Sequence, residues 1–277
     1  MKKKFVIGVD FGTDSVRGIL VNALTGEILD SESADFKRWK DGLYCETSKN
    51  QFRQHPNDHF ESLQAVINKL LHSNNIPKVE IRAMTIDTTG SSPIAVDRQG
   101  RPIALQPAFK DNPNAMVILW KDHTAIKEAE MINERSKSWG GEDFTKYSGG
   151  IYSSEWYWSK ILHIAHNDPL VDKAAWTWME HCDFIVFELT DQKNLEVFKR
   201  SRCAAGHKGM WHESWGGYPP SQFFEQLHPS LGRLRETLPN ETFTADNVAG
   251  RLNEEWAEKL GLSKETIVTV GLLDAHA

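Results

Sequence analysis

Val9-Asp10-Phe11-Gly12-Thr13-Asp14-Ser15-Val16-Arg17 joins two apolar runs through a short polar turn that contains a glycine. Before the turn, Phe5, Ile7, Val9 and Phe11 alternate with smaller or polar neighbours, the period of a strand with one buried face. After it, Val16 to Val21 reads as a second strand. Leu24-Thr25-Gly26-Glu27 is a further turn, and a third strand starts at Ile28. The chain thus opens on a three-stranded meander. A glycine-containing hairpin lets backbone N–H groups come close to phosphate oxygens. Thr13 and Ser15 add hydroxyl donors, and Arg17 is a further charge partner. Asp10 would be repelled by a phosphate, but it can act through Mg²⁺, a hard cation that takes carboxylate and water oxygens. Alone, the stretch reads equally well as an ordinary hairpin with polar turn residues. The G-x-G-x-x-G and G-x-x-x-x-G-K-[ST] fingerprints are absent, so neither a Rossmann nor a P-loop site is indicated.

Downstream, Pro56 precedes a predicted helix over Asn57 to Ser73, with Phe60, Leu63, Ile67 and Leu70 at helical spacing. Ile81 to Ile86 reads as a strand, followed by the polar loop Asp87 to Pro93. Ile94 to Val96 and Ile103 to Leu105 flank a hairpin turn at Asp97 to Gly100. Helices are predicted over most of Met116 to Arg135, over Trp156 to His166, over Ser221 to His228 and over Asn253 to Leu260, the last closed by Gly261. Phe184 to Leu189 reads as helical or extended. Thr266 to Val270 is an apolar strand that delivers Gly271-Leu272-Leu273-Asp274-Ala275-His276. Strands and helices alternate, so the class is α/β. One domain over residues 1–277, with a long insertion between Lys110 and Asp246, is expected. The chain stops just after a strand and its loop, which reads as a truncated chain.

Composition excludes several classes. The 277 residues are 40% apolar and 25% charged, enough to bury an ordinary core. A net charge of −6 argues against nucleic acid or an anionic membrane as partner. Cys45, Cys182 and Cys203 are widely spaced and include no C-x-x-C pair, so reduced thiols in a cytoplasmic protein are expected. Met1 to Lys4 resembles the basic start of a signal peptide, but Phe5 to Val9 is too short for the apolar segment that should follow.

Two further groups carry candidate chemistry. Asp274 sits just past an apolar strand, where open α/β sheets place their sites, and could take a proton from an attacking hydroxyl. A helix N-cap is its commoner structural role. His276 reads as structural. Polyol recognition needs dense polar groups beside an apolar wall. Thr88-Thr89-Gly90-Ser91, Trp120-Lys121-Asp122-His123 and the glycine-flanked Lys208 within Ala204 to His212 offer such sets. Each also has an ordinary reading, as a capping loop, a helix start or a surface turn.

The opening hairpin resembles the phosphate-binding segment of the actin, hexokinase and Hsp70-like superfamily. Together with Trp120 to Ala125, Ser201 to His212 and Gly271 to Ala277, it is similar to the FGGY carbohydrate kinases, and within them to the L-ribulokinase branch. The resemblance implies an actin-like, ribonuclease H-like fold with a mixed sheet flanked by helices. It implies ATP-dependent phosphorylation of L-ribulose to L-ribulose 5-phosphate, in L-arabinose catabolism. Asp274 matches the catalytic base. Asp10 matches the aspartate that organises Mg²⁺ indirectly, and Gly12, Thr13 and Ser15 match the segment facing the ATP phosphates. Gly90, Lys208 and Asp274 match positions that hold the ketose, and Trp120 and Asp122 match a segment near the sugar. Family members are roughly twice this long, so the adenosine-binding half is expected elsewhere and this half alone is expected to be inactive. The face such a half would cover is apolar, and a homodimer is one way of covering it. Other readings are a kinase for xylulose, ribitol or glycerol, and a non-catalytic actin-like module.

Overall fold

The computed structural model describes residues 4–74 and 76–277; the basic start before Lys4 lies outside the described residues. The elements are β1 (Phe5–Phe11), β2 (Ser15–Asn22), β3 (Ile28–Asp35), α1 (Lys37–Lys40), β4 (Arg53–Gln54), α2 (Pro56–Asn74), β5 (Ile81–Thr88), β6 (Ile94–Val96), β7 (Val117–Ile118), α3 (Ile126–Ser138), α4 (Tyr157–Asn167), α5 (Pro169–Ala174), β8 (Thr177–Met179), α6 (His181–Leu189), α7 (Arg202–Lys208), α8 (Ser221–Glu225), α9 (Pro229–Glu236), β9 (Val248–Arg251), α10 (Glu254–Lys259), β10 (Ile267–Thr269) and β11 (Leu272–Leu273).

Alternation along β1 buries Phe5, Ile7, Val9 and Phe11 and leaves the residues between them half-buried. The meander forms as the pattern predicts, with β2 antiparallel to both β1 and β3. Gly12 N donates to Ser15 O at 3.0 Å and closes the first turn. Gly18 is where α2 comes closest: a Cβ there would lie 2.5 Å from Val66 Cγ1. The sheet has seven strands and runs β3-β2-β1-β5-β10-β9, with β11 also paired to β5. β5 is parallel to β1, and β10 and β11 are parallel to β5. The chain is therefore α/β with a mixed sheet and flanking helices. Parallel pairing sends three strands out at one edge. Asp10 stands opposite Asp87, and Leu273 opposite Thr88, so the chain after β11 emerges beside the hairpin.

Buried side chains form two large clusters. One joins the sheet to α2, α6 and α10. The other gathers α3, α4, α8 and α9, with Trp158 stacked on Phe224 at a centroid distance of 3.8 Å. Within residues 110–246, α6 and the chain on to Phe198 pack into the sheet's cluster.

Some local expectations differ from the structure. Helix α3 starts only at Ile126, and Val117–Ile118 pairs with β4 as a short strand. The cause is Asp122, whose carboxylate accepts from Thr124 N and Thr124 Oγ1 and draws the backbone into a turn. Ile103–Leu105 is a single 3₁₀ turn after Pro102, and β6 pairs with β8 instead. Helix α8 ends at Glu225 because His228 caps the next helix, accepting from Ser230 N ahead of Pro229.

His59 and His181 are buried side by side, with ring centroids 4.2 Å apart. Burial pulls the His181 imidazole down to about 3 and holds His59 well below its usual range, so both are neutral in the fold. An unfolded histidine titrates near pH 6.5, so the unfolded state binds more protons below that pH. Their contribution is complete above pH 6.5 and is lost as pH falls, for His181 as pH approaches 3. Denaturant unfolding at pH 6.5 and pH 5.0 should show stability falling by up to about 1.4 kcal/mol per pH unit for each histidine. His181→Leu should shallow that slope; equal slopes would refute the assignment.

Candidate active site

The hairpin turn is held from three directions. Gln54 Nε2 donates to Thr13 O at 2.7 Å, Trp120 Nε1 donates to Thr13 Oγ1 at 3.0 Å, and Trp39 Nε1 donates to Asp14 Oδ1 at 2.6 Å. Gln54 is itself fixed, its Oε1 lying 2.9 Å from His59 Nε2. Each of these partners comes from outside the hairpin, so the backbone that would face a phosphate is preorganised. Arg17, opposite Asp10 in the register, donates to Asp10 Oδ2 at 2.5 Å. Arg17 thus orients the Asp10 carboxylate, and it remains exposed.

Asp87, paired with Asp10 across β1 and β5, belongs to the same edge. Burial first, then the Asp10 carboxylate, then Asp274 push its carboxyl up to about 7, with Arg17 opposing them. Three carboxylates thus crowd one strand edge. Arg17 offsets the charge of Asp10 and the Asp87 carboxyl is held towards its neutral form, so a hard cation would be reached here through the Asp10 oxygens and water.

Beyond β11 the chain turns into a 3₁₀ turn, Asp274–His276, with Asp274 exposed and its Oδ1 accepting from Ala275 N at 2.7 Å. Gly90 comes so close to this arm that a Cβ would lie 2.2 Å from Leu273 Cδ2, which excludes any larger residue without a shift. Lys208 ends α7, its Nζ 5.2 Å from the centre of the half-buried Trp156 ring. Its charge bears on His276, which stacks on His207 at 3.8 Å. Gly90, Lys208 and Asp274 therefore border one region beside the carboxylates.

Trp120 and Asp122 stand differently. Trp120 reaches the hairpin through Thr13. Asp122 is buried: its Oδ2 lies 2.7 Å from Arg53 Nη1 and accepts from Phe52 N at 2.7 Å. Lys160, also buried, donates to Ser91 O at 2.6 Å and to Leu119 O at 2.8 Å, joining the Gly90 loop to the segment that carries Trp120. Burial pulls its ammonium down to about 7 against the Asp122 and Glu180 carboxylates. A cavity of about 450 Å³ beside the hairpin is lined by Asp14, Trp39, Cys45 and Phe52.

Sequence reasoning passed over Asp87, Lys160 and Glu180. Asp87 had a usable signal: it ends an apolar strand as Asp10 does. Lys160 and Glu180 had none, because each acquires its role only through partners about 40 to 90 residues away.

Residues 5–277 match the amino-terminal domain of the FGGY family of carbohydrate kinases. The chain belongs to that family. Its relatives include the ribulokinase of Vibrio parahaemolyticus, 43% identical over 277 residues, covering 99% of this chain and 48% of that protein. The ribulokinase of Geobacillus thermodenitrificans is 35% identical, covering 100% of this chain and 49% of that protein. The chain thus spans about half the length of the curated relatives it matches. Among solved structures, the xylulose kinase from Rhodospirillum rubrum superposes with a TM-score of 0.76 at 18% identity, over 98% of this chain and 49% of that one. The gluconate kinase from Lactobacillus acidophilus superposes at 0.73 and 19% identity, over 99% and 49%. At these identities the structural likeness bears on the FGGY fold alone.

Proposed function

We propose that this FGGY domain is the acceptor-sugar half of a cytoplasmic kinase that transfers the γ-phosphoryl group of ATP to the C5 hydroxyl of L-ribulose, giving L-ribulose 5-phosphate. The observation that carries this reading is Gly90 packed against Leu273, the residue before Asp274, at the strand edge beside the phosphate-type hairpin, with the helix that ends in Lys208 stacked on His276 through His207. Identity of 43% to a ribulokinase along the whole chain supports the ketose as acceptor. Among the described residues no helix is long and apolar enough to cross a membrane.

In this mechanism Lys208 and the Gly90 loop hold the sugar while Trp156 offers an apolar wall. Asp274 accepts the proton of the C5 hydroxyl as its oxygen bonds to the γ-phosphorus; the bond from that phosphorus to the β-phosphate oxygen breaks, and ADP leaves. The segment of Gly12, Thr13 and Ser15 faces the phosphates on a turn already closed by the Gly12 amide and held by Gln54, Trp39 and Trp120, with the Thr13 and Ser15 hydroxyls as donors, so little ordering remains on binding. Arg17 keeps the Asp10 carboxylate oriented. Asp10, oriented by Arg17, would hold Mg²⁺ indirectly; bound there, it would neutralise charge on the transferring group.

A panel of L-ribulose, D-xylulose, ribitol and glycerol, offered to the enzyme containing this domain, tests the reading. The expected result is the highest kcat/KM for L-ribulose. An equal or higher value for another acceptor would sink the substrate assignment, and transfer to none would sink the enzymatic one.

A further inference from the structure

Four consecutive residues at the start of α6 reach separate pieces of the site. Glu180 accepts from Ser91 Oγ, and from Ser92 N at 2.9 Å. The His181 ring meets Phe11, the last residue of β1, edge-on at 5.3 Å. Cys182 presses on Gly271, three residues before Asp274: a Cβ on that glycine would lie 2.8 Å from Cys182 O. Asp183 Oδ1 accepts from Ser201 N at 2.8 Å, and Ser201 caps α7, the helix that ends in Lys208. One helical turn therefore ties together the sugar loop, the hairpin strand, the arm of Asp274 and the helix of Lys208.

Glu180 is the member of this turn that bears on the sugar loop itself. Its side chain is buried, and both of its oxygens are engaged. Ser91 is gripped at two points, by Glu180 at its hydroxyl and by Lys160 at its carbonyl. Gly90, the neighbour of Ser91, is the residue packed against Leu273. The charge of Lys208 also bears on the Glu180 carboxylate. Moving Glu180 thus moves the loop relative to both Lys208 and Asp274, while the hairpin keeps its own supports in Gln54, Trp39 and Trp120.

We infer that Glu180 is the positioning residue of the acceptor pocket, setting the Gly90–Ser92 loop against Lys208 and Asp274 and so governing ketose affinity without governing nucleotide affinity. The inference rests on the kinase reading above. It assigns Glu180 a role through Ser91 and Ser92, with no contact to substrate.

The test uses the complete enzyme and two variants. Glu180→Gln keeps the shape but removes the charge, and Ser91→Ala removes only the hydroxyl that Glu180 receives. Each should raise KM for the ketose about tenfold, the scale of one buried charged hydrogen bond, and leave KM for ATP within about twofold. The double variant should be no worse than Glu180→Gln alone, because both remove one interaction. Equal rises in both KM values, or an unchanged ketose KM in either variant, would overturn the inference while leaving the kinase reading intact. Should Glu180→Gln fail to fold, Ser91→Ala decides by the same criterion. If the unsubstituted enzyme phosphorylates no ketose, the kinase reading fails and this inference falls with it.

Discussion

Asp274→Asn, made in the enzyme that carries this domain, lowers kcat for the ketose by about a thousandfold and leaves its KM within about threefold. The carboxylate stands exposed at the end of the arm that follows β11, anchored by the Ala275 N–H. Asparagine keeps that hydrogen bond and nearly the same volume, so Leu273 stays seated against Gly90. What asparagine cannot do is accept the hydroxyl proton. A thousandfold loss is about 4 kcal/mol of transition-state stabilisation, within the range of a positioned general base. The sugar should still bind, because Lys208 and the Gly90 loop are untouched. Steady-state kinetics with varied ketose gives both constants. A kcat within about tenfold of the unsubstituted enzyme would remove Asp274 from the base role, and a selective rise in KM would leave it the ketose-holding role alone.

What the sequence made legible divides along physical lines. The three-stranded opening was readable because β1 alternates strictly and its turns are short and chemically marked at Gly12 and Gly26. Asp10 was readable as a candidate from the glycine-containing hairpin it enters, and Asp274 because it follows an apolar strand. Their proximity was not: it depends on β1, β5 and β11 running parallel through long connections, and period-two alternation does not encode pairing order. The segment around Asp122 was misread as helix for a related reason. Its apolar spacing fits a helix, but a buried aspartate bonded to Thr124 and Phe52 holds the backbone out of one. Glu180 was invisible, as one glutamate between a short strand and a helix, until the fold placed Ser91 and Ser92 against it. Residues that touch ligand tend to sit in recognisable turns, whereas residues that hold those turns are scattered along the chain.

That distinction gives the stability prediction with the largest effect. Arg53→Met should destabilise this domain by about 3–5 kcal/mol, the cost of leaving a buried charge without its partner. Arg53 and Asp122 are both fully buried, with Nη1 2.7 Å from Oδ2, although the contact is not aligned as a hydrogen bond. Burial pulls the Arg53 guanidinium down, and Asp122 opposes that shift. Without Arg53, the carboxylate would keep the Phe52 and Thr124 donors but lose the guanidinium beside it. The pair Arg53→Met/Asp122→Leu should recover most of the loss, because removing both charges also removes their desolvation cost. Denaturant unfolding followed by tryptophan fluorescence measures both. A single-variant loss below about 1 kcal/mol would mean that the pair is open to water. Asp122→Asn then separates support from ligand contact. A buried strut predicts lowered stability with no selective change in ketose KM, since Asp122 acts on the segment that carries Trp120 to Thr13. Intact stability with a raised ketose KM would instead place Asp122 against the sugar.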